Sequence, residues 1–303
     1  MTSKTVPSGS MAHRLSVMGL LVTLGIVYGD IGTSPLYVMR AIIGATPVIT
    51  TDYIIGAVSC IIWTLTIQTT LKYVVLALRA DNKGEGGILA LYALVRKHGR
   101  GWLYLLAIIG ASTLVADGVI TPSITVLSAI EGLRAYEPST PVIPIAIAIL
   151  TVLFFIQQYG TSAIGKLFGP LMLLWFSMLG ILGLTHVGDS WVILKAFNPW
   201  YAIRLLTTSP EWFLILGAVF LCTTGAEALY SDLGHCGKQN IRVSWAFVKT
   251  MLICNYLGQG AWIISHADQL ATGTKPFYAI MPHAFLPVGI TMATIAAIVA
   301  SQA

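Results

Sequence analysis

The sequence predicts an all-α, polytopic transmembrane fold, and three observations predict it. Only 10% of the 303 residues are charged while 56% are hydrophobic, at a mean hydropathy of +0.82. A water-soluble domain carries about a quarter charged residues, because its surface faces water. The apolar residues also fall in runs long enough to cross about 30 Å of hydrocarbon, at roughly 20 residues per crossing. Finally, three carboxylates, Asp30, Asp117 and Glu227, stand inside those runs rather than in the loops between them.

Taken in order, the runs are Val17–Ile43, Tyr53–Leu71, Trp102–Ile130, Val142–Tyr159, Leu167–Leu184, Trp212–Leu229, Trp245–Ile264 and Ala284–Ala303, which gives about eight spans. Lys4 and Arg14 precede the first run as they would in a signal peptide. No small-x-small cleavage site follows, and the run continues into a Gly/Pro-interrupted stretch, so it reads as retained. With a cytoplasmic N-terminus, the inner side receives Lys4, Arg14, Lys72, Arg79, Lys83, Arg96, Lys97, Arg100, Lys166, Lys238, Arg242 and Lys249. The outer side keeps Arg40, Arg134, Lys195, Arg204 and Lys275. That bias of 12 to 5 places both termini inside by the positive-inside rule. The net charge of +5 therefore orients the chain, and no nucleic-acid partner need be invoked. Residues 1–303 read as a single transmembrane domain. The cysteines, Cys60, Cys222, Cys236 and Cys254, form no C-x-x-C and read as packing residues.

Two connections stand out. Arg79-Ala-Asp-Asn-Lys-Gly-Glu-Gly-Gly87 is the most polar stretch, and the apolar Ile88–Val95 after it is too short to span, so it reads as an interfacial helix with a glycine turn before it. The loop lacks the spacing of a nucleotide-binding P-loop and carries its own carboxylate. In the outer stretch Gly188–Pro210, Trp191, Trp200 and Tyr201 read as headgroup-level aromatics.

The chemistry is expected at the three buried carboxylates, because a charge inside the membrane is costly unless it faces a cavity or a partner. Asp30 sits in Tyr28-Gly-Asp-Ile-Gly-Thr-Ser-Pro-Leu-Tyr37. Its glycines weaken the helix. Pro35 removes the usual donor to the Ile31 carbonyl and is expected to push Ser34 out of helical geometry. A broken helix with free carbonyls, two hydroxyls (Thr33, Ser34) and a carboxylate is a hard-oxygen site suited to a dehydrated metal cation. Asp117 heads a polar stripe with Thr121, Thr125 and Ser128, spaced four, four and three residues apart and so on one helix face; Pro122 frees the Gly118 carbonyl on the same helix. Glu227 lies in Thr223-Thr-Gly-Ala-Glu-Ala-Leu-Tyr-Ser-Asp232, which echoes the first break. Interruptions in spans one and six point to an inverted-repeat transporter with its site at mid-membrane.

Several motifs then resemble one family, the Kup/HAK/KT potassium uptake transporters. They are Gly25-Ile-Val-Tyr-Gly-Asp-Ile-Gly-Thr-Ser-Pro-Leu-Tyr37, Arg79-Ala-Asp-Asn-Lys-Gly-Glu-Gly-Gly-Ile88, Val119-Ile-Thr-Pro-Ser-Ile-Thr125, Ser128-Ala-Ile-Glu-Gly132, Gly225-Ala-Glu-Ala-Leu-Tyr230 and Asn255-Tyr-Leu-Gly-Gln-Gly260. The resemblance implies secondary-active potassium uptake coupled to protons at the cell membrane, on the five-plus-five inverted-repeat fold of the amino acid–polyamine–cation superfamily. It implies potassium ligation by Asp30, Tyr37, Asp117, Thr121, Thr125 and Thr224, and proton coupling by Glu227. Some members carry glutamate where Asp117 stands, so the shorter side chain here is expected to shift the site slightly. Potassium and the proton are then transported substrates, no cofactor is implied, and the remaining partners are the bilayer and a second copy in a homodimer. The family has about twelve spans and usually a cytoplasmic C-terminal domain, so this chain is expected to be an N-terminal portion.

Three other functions compete. An amino-acid carrier on the same fold would bind a carboxylate at the break in span one, where the charge of Asp30 repels it. An intramembrane aspartyl protease would use paired aspartates, which leaves the hydroxyl stripe without a role. A receptor-like or structural bundle predicts no ion flux. For Glu227, the competing reading is a salt bridge to Lys249.

Overall fold

Apolar runs become helices in lipid because each backbone N–H and C=O must find its partner within its own segment. The computed structural model describes residues 15–96, 101–135, 137–157, 162–267, 270 and 274–302, and among them each run carries helix and no strand occurs. Lys4, Arg14, Lys97 and Arg100, used above to orient the chain, lie outside the described residues, as do the side chain of Lys166 and the ends of two runs at Tyr159 and Ala303.

The first run opens as α1 (Val17–Val27), started by Ser16, whose hydroxyl accepts the Gly19 N–H at 3.0 Å. It bends by 70° at Tyr28 and continues through α2 (Gly29–Thr33), a 3₁₀ turn at Ser34–Leu36 and α3 (Val38–Gly44). The helix α4 (Thr51–Thr64) is capped by Thr50 and has Asp52 in its first turn, where a carboxylate favours the helix dipole. It widens into i→i+5 turns over Leu65–Leu76, where the Thr70 hydroxyl reaches the Leu65 carbonyl five residues back. The short α5 (Ile88–Val95) buries none of its residues and rests on α6 (Trp102–Ile130), with Tyr92 against Tyr104, as expected of a surface helix. Gly84 and Gly87 supply the positive φ of the turn before it.

There follow α7 (Val142–Gln157), α8 (Ser162–Val187) and α9 (Pro199–Thr208), the last capped by Asn198 with proline at its first position. Trp191 before α9 and Trp200 in its first turn are exposed, and Tyr201 beside it is half-buried. The sixth run is interrupted: α10 (Trp212–Phe220) passes through a 3₁₀ turn at Leu221–Thr223 and an extended Thr224 to α11 (Ala228–Ser231). The chain continues through α12 (Leu233–Cys236), α13 (Lys238–Ser265), α14 (Pro276–Ala279) and α15 (Leu286–Ala300).

Among the described residues, four helical stretches are long and apolar enough to cross a membrane alone: Thr51–Arg79, Trp102–Arg134, Leu167–Val187 and Trp212–Ser231. The bent pair Val17–Val27 and Gly29–Leu36 makes a fifth, and α7 and α15 are apolar but shorter. The 28 residues of α13 include Lys238, Arg242 and Lys249. Outward-facing side chains on α6 such as Val115 and Val119 are about 70% exposed, a surface suited to lipid. The centre of the bundle is α13 crossing α8 at backbone distance. A Cβ on Gly258 would overlap the Gly183 backbone, and one on Gly183 would overlap Cys254 and Asn255. Cys60, Cys222 and Cys236 are free thiols buried in the packing, and Cys254 is half-buried.

One expectation about the first break is corrected. Ser34 stays in the right-handed helical region, at φ −52° and ψ −37°. Pro35 falls at the start of the 3₁₀ turn, where a missing N–H costs little. The departures occur instead at Tyr28 (φ −109°, ψ 13°) and Tyr37 (φ −129°, ψ −22°).

Candidate cation site

A break in a membrane helix persists only when other groups take up the freed carbonyls. Here the Trp175 indole donates to the Gly32 carbonyl at 2.8 Å and the Gln259 amide to the Pro35 carbonyl at 3.1 Å. Thr33 donates to the Asp30 carbonyl at 2.8 Å. Ser34 bonds the Leu221 carbonyl at 3.2 Å, which ties the first break to the second. At the second break, Gly225 adopts φ +80° directly against Asp30; any Cβ there would overlap the Asp30 side chain.

The two breaks and α6 enclose a cavity of about 360 Å³. Asp30, Asp117 and Glu227 line it together, with Gly118, Gly225, Ser231 and Asp232. The three carboxylates act on one another electrostatically. Among the described residues, however, no three Asp, Glu, His or Cys side chains converge closely enough to hold a metal by themselves. The cavity can therefore receive a cation only with neutral oxygens sharing the ligation. Gly118, whose carbonyl Pro122 leaves without its helical donor, is part of the wall.

The hydroxyl stripe turns inward as its spacing implies. Thr121, Thr125 and Ser128 are buried and Asp117 is half-buried, whereas Ile120 and Ile124, at the edge of the stripe, are exposed. Thr121 donates to Asp117 Oδ1 at 2.9 Å. The Thr125 hydroxyl is fully buried and makes no hydrogen bond. The Tyr37 hydroxyl contacts Ser34 at 3.4 Å, interacts with Thr224, and lies within electrostatic reach of Asp30 and Asp117. The expected residues thus form two groups: carboxylates lining the cavity, and Tyr37, Thr121, Thr125 and Thr224 beside it without entering its wall.

The salt bridge from Glu227 to Lys249 does not form: Glu227 makes no ion pair among the described residues, and the ammonium that acts on it is that of Lys72. Sequence reasoning missed Ser231 and Asp232 at the cavity wall; Ser231 stands one helical turn past Glu227, and that spacing could have revealed it. It also placed Arg40 and Lys275 on the outer side without pairing either with Glu131. Glu131 in fact binds both Arg40 and Lys275 (the latter at 3.5 Å), joining the ends of α3 and α6 to the segment before α14. Tyr278 on α14 donates to the Ala129 carbonyl in the same corner.

The signature of the K+ potassium transporter integral membrane domain matches residues 17–303. The chain belongs to that family. A protein of Flavobacterium johnsoniae named probable potassium transport system protein Kup is 57% identical over 302 residues, covering 97% of this chain and 46% of that protein. Proteins of the same name from Cytophaga hutchinsonii and Enterococcus faecalis are 55% and 50% identical over 96% of this chain, and are covered to 45% and 46%. The chain thus spans about half the length of the curated relatives it matches. These relatives are named for transport and not for catalysis. No solved structure matches the chain.

Proposed function

We propose that this chain forms the ion-binding part of a secondary-active potassium uptake system, in which potassium entry is coupled to protons. The observation that carries the proposal is the shared cavity. Asp30, Asp117 and Glu227 come from three separate helical segments, and all three line one space of about 360 Å³. A dehydrated monovalent cation needs negative charge and several oxygens in a medium of low dielectric. Asp30 and Asp117 supply the charge and the freed carbonyl of Gly118 a neutral oxygen at the wall, while the hydroxyls of Tyr37, Thr121, Thr125 and Thr224, beside the wall, supply further neutral oxygens to an ion that passes inward from the cavity. Glu227 has no ion-pair partner among the described residues and is the carboxyl assigned to carry the coupled proton.

In this reading the eight apolar runs are eight spans of a five-plus-five inverted repeat, in the cell membrane, with the N-terminus inside. The assembly is a homodimer. Rubidium uptake into potassium-starved cells carrying the complete gene tests the function. Uptake that saturates and fails on Asp30→Asn supports it; absence of uptake with the protein inserted in the membrane refutes it.

A further inference from the structure

Most buried polar side chains around the breaks are bonded, which makes the exceptions informative. Among the described residues only four buried side-chain oxygens lack any hydrogen-bond partner: those of Thr69, Thr125 and Tyr256, and Gln259 Oε1. Two of these, Tyr256 and Gln259, lie one turn apart on α13 and are both fully buried.

The orientation of Gln259 follows from its neighbours. Asn255 Nδ2 donates to the Leu179 carbonyl at 2.9 Å, which turns Asn255 Oδ1 into an acceptor. Gln259 must then present Nε2 to it, at 2.7 Å, and the same nitrogen donates to the Pro35 carbonyl. Both amide protons are committed, so Oε1 is left as a pure acceptor with two free lone pairs. Leaving such an atom unmatched in an apolar interior is costly, and the chain of bonds holding it gives it no way to rotate. Tyr256 is comparable: its hydroxyl bonds nothing, yet it lies within electrostatic reach of Tyr37 and Cys222. Tyr37 in turn interacts with Thr224 and lies within electrostatic reach of the cavity carboxylates Asp30 and Asp117. Tyr37 therefore links the carboxylate cavity to Tyr256, and Gln259 meets the same break two residues earlier, at the Pro35 carbonyl.

We infer that Tyr256 and Gln259 supply neutral oxygen ligands to a second monovalent-cation position beside Tyr37 and the Pro35 carbonyl. The inference rests on the cation-transport reading of the cavity. An acceptor-only amide oxygen and a free hydroxyl are hard, uncharged ligands. With no carboxylate among them they suit a singly charged ion, whose charge is balanced at a distance by Asp30 and Asp117. A divalent ion would need a charged ligand in direct contact. The position serves as a station through which the ion exchanges water for protein oxygens in steps.

Tyr256→Phe is the decisive variant, because it removes a hydroxyl that bonds nothing in the protein and should leave folding untouched. The complete gene product is purified and reconstituted as wild type, Tyr256→Phe and Asp30→Asn. Rubidium KM and the potassium-dependent rise in melting temperature are then measured. The expected result is unchanged yield and an unchanged melting temperature without potassium, a smaller potassium-dependent rise, and a rubidium KM raised about tenfold, as for loss of one ligand worth about 1.4 kcal/mol. If Tyr256→Phe keeps KM within about twofold of wild type while Asp30→Asn abolishes uptake, the transport reading stands and this inference falls; such a site holds bound water only. Failure of Tyr256→Phe to insert would make the hydroxyl structural and would equally overturn it. Wild-type protein without rubidium uptake overturns both.

Discussion

Thr121→Val isolates the contribution of one hydroxyl at nearly constant side-chain shape. Thr121 donates to Asp117 Oδ1 at 2.9 Å, so its proton is committed to the carboxylate and its lone pairs are left for a cation. Hydrogen bonds to charged groups contribute about 1.5–3 kcal/mol when well shielded. Asp117 is only half-buried and lines a cavity, so the lower end applies, about 1–1.5 kcal/mol, or roughly fivefold to tenfold in apparent affinity. The assay is the rubidium KM in potassium-starved cells, normalised to protein inserted in the membrane. Ile124→Val is the control: Ile124 is 41% exposed at the edge of the stripe and carries no oxygen, and its trimming should leave KM unchanged. A Thr121→Val KM within about twofold of wild type, or equal damage from Ile124→Val, would show that the stripe only packs the helix.

Three further outcomes follow from the same geometry. Asp30→Asn should abolish uptake with insertion intact, since it removes charge from the cavity wall; retained wild-type affinity in the variant would exclude Asp30 from ligation. Glu227→Gln should stop accumulation against a gradient while potassium–rubidium exchange survives, because the side chain no longer exchanges a proton; undiminished proton influx on adding potassium would assign the coupling elsewhere. Gly258→Ala should cost about 1–3 kcal/mol by overpacking against Gly183 and lower the melting temperature, whereas Gly217→Ala, with nothing within 4 Å of the added methyl, should not; equal stability of the two variants would contradict the close crossing.

Much of this architecture could be read in the residues, because membrane helices satisfy their backbone locally and so write themselves as apolar runs. The stripe from Asp117 to Ser128 was legible for the same reason: helical spacing alone decides which side chains share a face. Bonds between segments distant in sequence were not. Nothing near Gly32 or Pro35 announces that Trp175 and Gln259 will take their carbonyls, 143 and 224 positions away. The motif containing Asn255 and Gln259 was visible as a motif, but its task depends on where α13 lies. The exact kink was hidden too: proline rules pointed to Ser34, while the bend fell at Tyr28, whose hydroxyl donates to the Ile241 carbonyl at 2.7 Å and whose ring stacks on Trp245. Tertiary contacts thus chose the bending point among several weak positions.

The glycine contact between α8 and α13 has a mechanical consequence. Where side chains separate two helices, rotamer changes let them slide; where backbone meets backbone, at Gly183 and Gly258, that slack is missing, and the pair behaves as one stiff beam. Trp175 belongs to one half of this beam and Gln259 to the other, and each grips a carbonyl of the first break. The break is therefore held in a yoke at two points, three residues apart, by a body that does not deform. A hinge motion between Gly32 and Pro35 must therefore release one grip, whereas α1 can still swing about Tyr28, which lies before both.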